Sequence, residues 1–441
     1  MPNEVLDTTC CIVGGGPAGM MLGYLLARSG VPVTVLEKHK DFNRDFRGDT
    51  VHPSTLQVIY ELGLLNEFLQ IPHQQLTQVG GVFGDFPFRV ANFRHLPTHC
   101  KFVALMPQWD LLNFFAEKAR QFSTFTLRME NQAVGLLGDN DRVTGVRVRT
   151  PEGATEIRSD LVIGCDGRHS TTRAVAHFEV IETGVPIDVL WFHLPRSGND
   201  PENLLGNFNY GSALVLIPRG DYYQAGLLIR KGSFDELKRQ GLPAFREKIR
   251  RISPSLGDRV NQLQDWDDIK LLTVQINRLR RWHRPGLLCI GDAAHAMSPA
   301  GGIGINLAIQ DAIAAANILT RPLLQRDLRE SDLARVQKRR EFPARATQAA
   351  QVFAHKQLAK VFENPGPAKA PWQLQVAFSL PGVQRLLARG VGVGVLPEHV
   401  AGTRRETSPS LKQVAVGVGL LAAGTVLALR LFSRRRLASA L

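Results

Sequence analysis

Over the first forty residues, the pattern of apolar and polar positions predicts a strand, then a helix, then a second strand. The run TTCCIV (residues 8–13) predicts a buried strand, and Pro17 begins an apolar segment that predicts a helix to Ser29. The next run, VPVTVLE, predicts a second strand ending at Glu37. This order indicates a parallel α/β unit.

Two later apolar runs each reach an aspartate beside a glycine, at Asp166 and at Asp292. In isolation, such an aspartate is more often a helix cap or a turn residue. Both, however, stand at the carboxyl ends of predicted strands, where ligands of α/β sheets bind. After Asp292 comes a run rich in Gly, Pro and Ala, and then a predicted helix beginning near Gly302. We therefore expect bare backbone to face a ligand there.

A second sheet is predicted from short alternating segments elsewhere in the chain. Residues 189–196, 212–220 and 222–232 read as strands separated by turns. Together with 79–90 and 98–106 they predict a mixed or antiparallel sheet with a mostly apolar face.

The charge of the chain is strongly basic and uneven. Of the formal +13, most comes from residues 321–360, with ten Lys/Arg against four Asp/Glu, and from 401–441, with seven against one. Without a nucleic-acid motif, this excess favours a phosphate-bearing cofactor or an anionic membrane surface over nucleic acid. The five cysteines show no metal spacing, so we expect no metal site.

The C-terminal region contains seventeen uncharged residues, 413–429, between Lys412 and Arg430. At about 1.5 Å per residue they would span most of a hydrocarbon core of about 30 Å. We expect a transmembrane tail helix over 413–430, with a buried terminal helix as the alternative. The basic residues on both sides leave its orientation open.

The glycines at the first turn predict a nucleotide site. Gly14, Gly16 and Gly19 form GxGxxG between the first strand and its helix. Gly14 allows the tight turn, and Gly16 lets the backbone approach a pyrophosphate at the positive end of the helix. Glu37 stands where a carboxylate would bind ribose hydroxyls, so the unit predicts an adenine dinucleotide.

Three motifs in order, GGGPAG, CDG and GDAAHAMSPAGGIGIN, resemble the class A flavin-dependent monooxygenases, the para-hydroxybenzoate hydroxylase family. The resemblance covers about residues 7–345, with fainter agreement near PEHV at residue 400. It implies an α/β (α+β) fold, in which a Rossmann-like FAD-binding domain is interleaved with a β-sheet substrate domain, followed here by the C-terminal hydrophobic helix.

The expected organisation divides the chain into eight segments. They are an FAD-binding domain in three parts (1–78, 107–178 and 271–345), a substrate domain in two parts (79–106 and 179–270), a C-terminal helical region (346–400), a linker (401–412) and the tail helix (413–430).

The resemblance also implies which residues bind FAD. The glycine turn would hold the pyrophosphate, Glu37 the adenosine ribose, and Asp292 the ribityl hydroxyls, while residues 299–306 would lie along the isoalloxazine ring. Arg47 would reach the pyrophosphate and the nicotinamide nucleotide, Gln108 the ribityl chain, Val134 the adenine, and Asp166 both FAD and NAD(P)H. The full expected set is Gly14, Gly15, Gly16, Pro17, Ala18, Gly19, Glu37, Lys38, Arg47, Gln108, Val134, Asp166, Gly291, Asp292, Pro299, Gly302, Gly304, Ile305 and Asn306.

The family mechanism is reduction of FAD by NADPH or NADH, capture of O2 as a flavin hydroperoxide, and transfer of one oxygen atom to a substrate. The resemblance therefore implies a monooxygenase acting on a small hydrophobic aromatic, phenolic or quinone-like compound, with a cytoplasmic catalytic part that the tail could anchor to a membrane. Two alternatives stay open: a geranylgeranyl-reductase-like reductase or dehydrogenase of the same fold, and a non-catalytic flavin-binding membrane adaptor. The oligomeric state also stays open.

No catalytic acid or base is assigned from the sequence. His295 is expected to brace the loop after Asp292, and His52 to stand near a helix cap. Tyr210, Tyr222 and Tyr223 are expected to pack within the substrate sheet.

Overall fold

The computed structural model describes residues 5–43, 50–138, 141–198, 200, 204–363 and 365–401. Arg47 and the predicted tail helix 413–430 lie outside the described residues. The strands within the described part are β1 (Val5–Val13), β2 (Val33–Leu36), β3 (Thr50–Val51), β4 (Gln74–Leu76), β5 (Gln78–Phe83), β6 (Phe86–Asn92), β7 (Val103–Leu105), β8 (Phe125–Arg128), β9 (Gln132–Gly138), β10 (Val143–Thr150), β11 (Gly153–Gly164), β12 (Val180–Thr183), β13 (Ile187–Pro195), β14 (Leu204–Asn209), β15 (Ser212–Arg219), β16 (Tyr222–Arg230), β17 (Lys270–Leu272), β18 (Ile276–Leu279), β19 (His283–Arg284), β20 (Leu287–Cys289) and β21 (His295–Ala296).

The α-helices of the same part of the chain are α1 (Pro17–Arg28), α2 (Pro53–Glu61), α3 (Leu65–Phe68), α4 (Gln108–Ala119), α5 (Thr171–Val175), α6 (Phe234–Gln240), α7 (Leu242–Ile252), α8 (Ile303–Gln325), α9 (Glu330–Val361), α10 (Trp372–Ser379) and α11 (Pro381–Gly392). The predicted helices beginning at Pro17 and near Gly302 are both confirmed.

A parallel sheet forms the centre of the first domain. Strands β20, β11, β1, β2 and β8 lie side by side in that order and run parallel. Helices α1, α4 and α8 pack on one face through a large apolar core, and β9 and β10 pack on the other. Gly23 lets α1 approach closely, since a Cβ there would lie 2.8 Å from Val35 Cγ2.

The second sheet has seven strands in the order β17, β13, β16, β15, β14, β5, β6. All its neighbours are antiparallel except β14 and β5, so the predicted mixed or antiparallel sheet is confirmed. One face packs on α6 and α7 through residues such as Phe192 and Phe245. The opposite face packs against α9 and α11.

One predicted strand of that sheet was wrong. Residues 98–106 contribute only β7, which pairs with β3 and β4 in a separate three-stranded sheet. Ala104 is buried in the core of the first domain, whereas Val103 and Leu105 pack against α11. An apolar strand buried on both faces has the same sequence pattern in either sheet, so only its tertiary neighbours decide the pairing.

Helix α8 is the single described segment that is long and apolar enough to cross a membrane, counted with the preceding turn as 300–325. Most of its apolar stretch, 67%, is buried inside the fold. Its hydrophobicity is therefore explained by packing against α1 and the parallel sheet.

Candidate active site

The glycine turn after β1 has the geometry of an anion cradle. Gly14 has φ +109°, and a Cβ there would lie 2.5 Å from the carbonyl oxygen of Cys165. A Cβ at Gly19 would lie 1.9 Å from the carbonyl oxygen of Gly14. A Cβ at Gly16, by contrast, would meet nothing within 4 Å. Open space thus stands before the amino end of α1, where a pyrophosphate fits.

Glu37 lies at this turn, as the sequence predicted. One of its carboxylate oxygens accepts the Gly15 N–H at 3.2 Å, and the other accepts the His39 N–H at 3.0 Å. The Glu37 carbonyl accepts the N–H of Asn131, which follows β8. The carboxylate is therefore held at the end of β2, beside the cradle, with Lys38 exposed next to it.

Asp166 borders the same turn, but its carboxylate is engaged by the chain itself. It accepts the Ser170 hydroxyl at 2.5 Å, and the Thr172 N–H and hydroxyl at 2.9 and 3.0 Å. The Cα of Asp166 would lie 2.9 Å from a Cβ on Gly14. Asp166 therefore organises the start of α5 and shapes the glycine turn through its backbone.

Asp292 lies just beyond β20 and forms an ion pair with Arg168 at 3.3 Å. Both side chains are partly exposed, at 29% and 21%. A Cβ on Gly304, in the first turn of α8, would lie 4.0 Å from Asp292 Oδ1. Arg168 was missed from the sequence, although it directly follows the CDG motif.

The segment from Gly291 to Gly302, called here the strap, is tied down by a buried carboxylate. One carboxylate oxygen of Asp311, in α8, accepts hydrogen bonds from the Gly291 N–H at 3.0 Å and from His295 Nε2 at 2.6 Å. Its other oxygen accepts Arg340 Nε at 2.9 Å. Burial raises the pKa of Asp311, but His295 and Arg340 outweigh it and hold that pKa below its usual value. The bracing role predicted for His295 is confirmed by this contact.

Helix α9 holds the rest of the strap through a polar stripe. Gln348 donates to the Ala296 carbonyl at 3.1 Å. Gln351 accepts the Ser298 N–H at 3.0 Å and donates to the carbonyls of Ser298 and Ala300 at 3.1 and 3.2 Å. His355 Nε2 lies 2.7 Å from the Ser298 hydroxyl oxygen. The strap therefore has a fixed backbone shape on both sides of Pro299.

The far end of the strap contacts β3, and the start of α8 just beyond it is linked to α2. Gly302 has φ +62°, and a Cβ there would lie 2.2 Å from Thr50 Oγ1. Asn306 accepts the His52 N–H at 3.0 Å and the Thr55 hydroxyl at 2.7 Å. His52 occupies the N-cap position of α2, but its side chain does not cap the helix and instead donates from Nδ1 to the Val391 carbonyl at 2.8 Å. Asn306, only 4% exposed, is thus a structural link between α8 and α2.

The other expected residues are more scattered. Gln108 is the first residue of α4, Ile305 belongs to the first turn of α8, and Val134 stands on β9 with 39% of its surface exposed. Arg47 lies outside the described residues.

A family model described as "FAD binding domain" matches residues 7–350. This chain belongs to that family, the class A flavin-dependent monooxygenases. The 6-methylpretetramide 4-monooxygenase of Streptomyces rimosus is 33% identical over an alignment of 360 residues, which covers 77% of this chain and 81% of that protein. The match confirms the resemblance seen in the motifs.

Two further comparisons agree. The rifampicin monooxygenase of Streptomyces venezuelae is 29% identical over 321 residues, covering 68% of this chain and 61% of its own length. The structure of OxyS anhydrotetracycline hydroxylase from Streptomyces rimosus aligns with a TM-score of 0.69 at 22% identity, covering 91% of this chain and 78% of that one. The fold is thus that of FAD-dependent monooxygenases.

The seven-stranded sheet, which is the predicted substrate sheet, has a row of glycines beside a tryptophan and a valine across its strands. Gly226 pairs with Trp191 and Val215, and Gly206 pairs with Val215 and Gly81. A Cβ on Gly226 would lie 2.8 Å from Trp191 Cζ3. A Cβ on Gly206 would likewise lie 2.8 Å from the Phe208 ring. The glycines therefore let two aromatic rings lie close against the sheet.

This aromatic face packs against α9 and α11. Trp191 packs in one cluster with Val352 of α9, and Ile217 of the same face packs with Val391 of α11. The strap is fixed to the same α9 by Gln351. Helix α9 therefore contacts both the strap and this face of the sheet.

The three tyrosines of the substrate sheet occupy different places. Tyr223 is buried on the α6–α7 face, with the Arg196 guanidinium 5.9 Å from its ring. Tyr210 lies in the turn after β14, with the Arg251 guanidinium 4.7 Å from its ring. Tyr222, the first residue of β16, contacts His193 of β13, with ring centroids 4.8 Å apart. Tyr223 therefore packs within the sheet, as predicted from the sequence.

Proposed function

We propose that this enzyme inserts one oxygen atom of O2 into a flat, hydrophobic aromatic, phenolic or quinone-like compound, using FAD and a reduced nicotinamide nucleotide. The observation that carries the proposal is that α9 contacts both the rigid strap, through Gln351, and the sheet face on which Trp191 lies over a glycine, through Val352. FAD, when bound, supplies electron transfer from NAD(P)H and the reaction with oxygen. The chain itself binds, orients and excludes water.

The residues present fit FAD. The open space before Gly16 accepts a pyrophosphate, and Glu37 beside it offers carboxylate oxygens to a ribose. Asp292 would bind ribityl hydroxyls from the end of β20, close to the first turn of α8. The amino end of α8 would stabilise negative charge on a bound group, by about 0.3–1 kcal/mol in an exposed setting and more where water is excluded.

The sheet face would hold the substrate by stacking. Aromatic pairs contribute about 0.5–1.5 kcal/mol beyond the area they bury, and they favour flat ligands. The apolar neighbours of Trp191 and Ile217 would exclude water from the same space. Relatives named as monooxygenases of 6-methylpretetramide and of rifampicin support oxygen insertion over reduction.

Membrane anchoring belongs to the same proposal. Residues 413–430 would form a transmembrane helix, with the catalytic part in the cytoplasm where FAD is available. Such an anchor suits a lipid-soluble substrate. The support is the uncharged run itself, flanked by Lys412 and Arg430.

Anaerobic reduction of the FAD-loaded enzyme tests the function. NADH or NADPH is mixed with it alone and with a panel of phenols, quinones and aromatic polyketides, and flavin bleaching is followed by stopped flow. We expect an aromatic ligand to accelerate bleaching, and aerobic turnover under oxygen-18 gas to give product carrying one labelled oxygen atom. Substrate reduction without oxygen would instead establish a reductase, and a flavin that no nicotinamide bleaches would establish a binding protein.

A further inference from the structure

Helix α10 carries an apolar face that is open to solvent in the described structure. Trp372, Val376 and Leu380 are 52%, 51% and 52% exposed. They follow one another at four-residue intervals and so share one side of the helix and its end. Among the described residues, five large apolar side chains are more than half exposed, and three of them form this α10 face.

The other side of α10 is packed against the substrate sheet. The Phe378 ring lies 5.1 Å from the Phe88 ring, and Phe88 lies 5.9 Å from Phe208, centroid to centroid. Just before the helix, the Ala368 N–H donates to Asn209 Oδ1 at 2.8 Å. The helix is therefore fixed over the aromatic end of the sheet, and its exposed side belongs to a defined element.

The charged residues that flank α10 along the chain have one sign. Residues 365–397 contain three Lys/Arg and no Asp/Glu, and α10 itself is uncharged. Lys369 and Arg385, on either side of the helix, are both exposed. An exposed Trp with aliphatic neighbours and flanking cations suits the interface of a bilayer that contains anionic lipid.

We propose that the α10 face docks on the surface of an anionic lipid bilayer. Trp372, Val376 and Leu380 would enter the headgroup region, and Lys369 and Arg385 would contact lipid phosphates. Phe378 would then stand between the bilayer and Phe88 of the substrate sheet, so a lipid-soluble aromatic compound could reach the sheet without crossing water. This docking adds to the proposed function and does not depend on it.

The sequence beyond Ala401 agrees with the choice of a lipid partner. The uncharged run 413–429 is separated from Ala401 by eleven residues, which can extend up to about 40 Å. An anchor at that reach would keep α10 near the same membrane and favour a second contact. Docking by α10 is nevertheless a separate contact, which its own tryptophan can report.

The test uses the full FAD-loaded chain and vesicles of phosphatidylcholine and phosphatidylglycerol, with or without bromine on the acyl chains close to the headgroup. Of the five tryptophans of the chain, Trp372 is 52% exposed and Trp282 is completely buried. We expect brominated vesicles to quench the wild-type emission, and W372F to lose that quenching. We also expect the quenching of the wild-type protein to be weaker on vesicles of phosphatidylcholine alone and at high salt.

Matched variants separate docking from general surface effects. V376Q/L380Q should lose most of the Trp372 quenching, whereas L324Q/F342Q, altered at sites that are 52% and 51% exposed elsewhere, should keep it. Circular dichroism and FAD content check folding. Vesicle binding without Trp372 quenching would overturn the proposal, as would equal quenching on neutral vesicles. Protection of Trp372 from acrylamide without lipid would also overturn it, because a second copy or the chain's own tail would then cover the face.

Discussion

Arg340 donates to Asp311 at 2.9 Å, and both side chains are completely buried. Arg340 also donates to Glu398 at 3.2 Å, so it joins the carboxylate that holds the strap to the segment after α11. His295 contacts the same Asp311. The strap is therefore coupled to residues near the end of the described chain.

Arg340→Met should reduce the free energy of unfolding by about 3–5 kcal/mol, because it leaves Asp311 and Glu398 buried with less compensation. The neighbouring Arg339 also pairs with Glu398, but its side chain is 48% exposed. Arg339→Met should therefore cost no more than about 1 kcal/mol. Urea unfolding of both apoproteins measures the difference, and equal losses would contradict the coupling.

Gly16→Ala should leave the apoprotein as stable as the wild type, since a Cβ there meets no atom within 4 Å. The same Cβ should occupy the space of the pyrophosphate and weaken FAD binding at least about tenfold, which is 1.4 kcal/mol. Flavin fluorescence titration measures the affinity. Gly14→Ala should instead destabilise the apoprotein, because its Cβ would contact the Cys165 carbonyl at 2.5 Å. Undiminished FAD affinity in Gly16→Ala would place the pyrophosphate elsewhere.

Gln351→Leu should loosen the strap, because it removes the contacts to the backbone of Ser298 and Ala300. Each buried backbone group left without a partner costs about 1–3 kcal/mol. We expect weaker FAD binding together with a shifted flavin absorbance spectrum and reduction potential. Gln357→Leu, on the same helix and bonded to Lys360, is the control and should change neither. An unaltered spectrum and potential in Gln351→Leu would show that the flavin does not sense the strap.

Stability should fall in mild acid because of His52. Burial lowers its pKa to about 4, although the bond to the Val391 carbonyl acts the other way. In the unfolded chain the pKa is about 6.5, so between these values the unfolded state binds a proton that the folded state does not. The free energy of unfolding should therefore decrease as the pH falls through this window, by up to about 1.4 kcal/mol per pH unit.

Urea unfolding at about pH 7 and about pH 5 checks this for the wild type, His52→Asn and His95→Asn. Between the two pH values, His52→Asn should lose less free energy of unfolding than the wild type. His95→Asn should lose as much as the wild type, because His95 is exposed. Burial lowers the pKa of His355 as well, so part of the wild-type slope should persist. An identical pH dependence in His52→Asn and the wild type would rule out His52 as the cause.

Trp191→Leu should raise KM for the aromatic substrate by up to about tenfold, which corresponds to loss of one stacking contact. The rate of flavin reduction without substrate should not change. Trp266→Leu is the matched control, since Trp266 packs with Phe245 on the opposite side of the sheet. Steady-state kinetics give the comparison, and equal KM values for both variants would remove Trp191 from the substrate face.

The sequence alone was sufficient for the features set by local backbone. Gly14 and Gly302 adopt positive φ at turns that other residues would strain, and Glu37 follows its strand directly. The glycine turn, the strand–helix–strand unit and the family motifs therefore follow from residues close together in the chain.

Contacts between distant residues had to come from the tertiary structure. Nothing local in α9 shows that Gln351 reaches Ser298, or that β7 pairs outside the substrate sheet. The motif predicts that Asp166 binds the cofactor, yet its carboxylate accepts two hydrogen bonds from Thr172 in the first turn of α5. The sequence by itself determined the fold family and the dinucleotide turn, because local spacing and backbone sterics encode them. The tertiary structure decided the support of the strap and the aromatic face, because packing brings those side chains together across many residues.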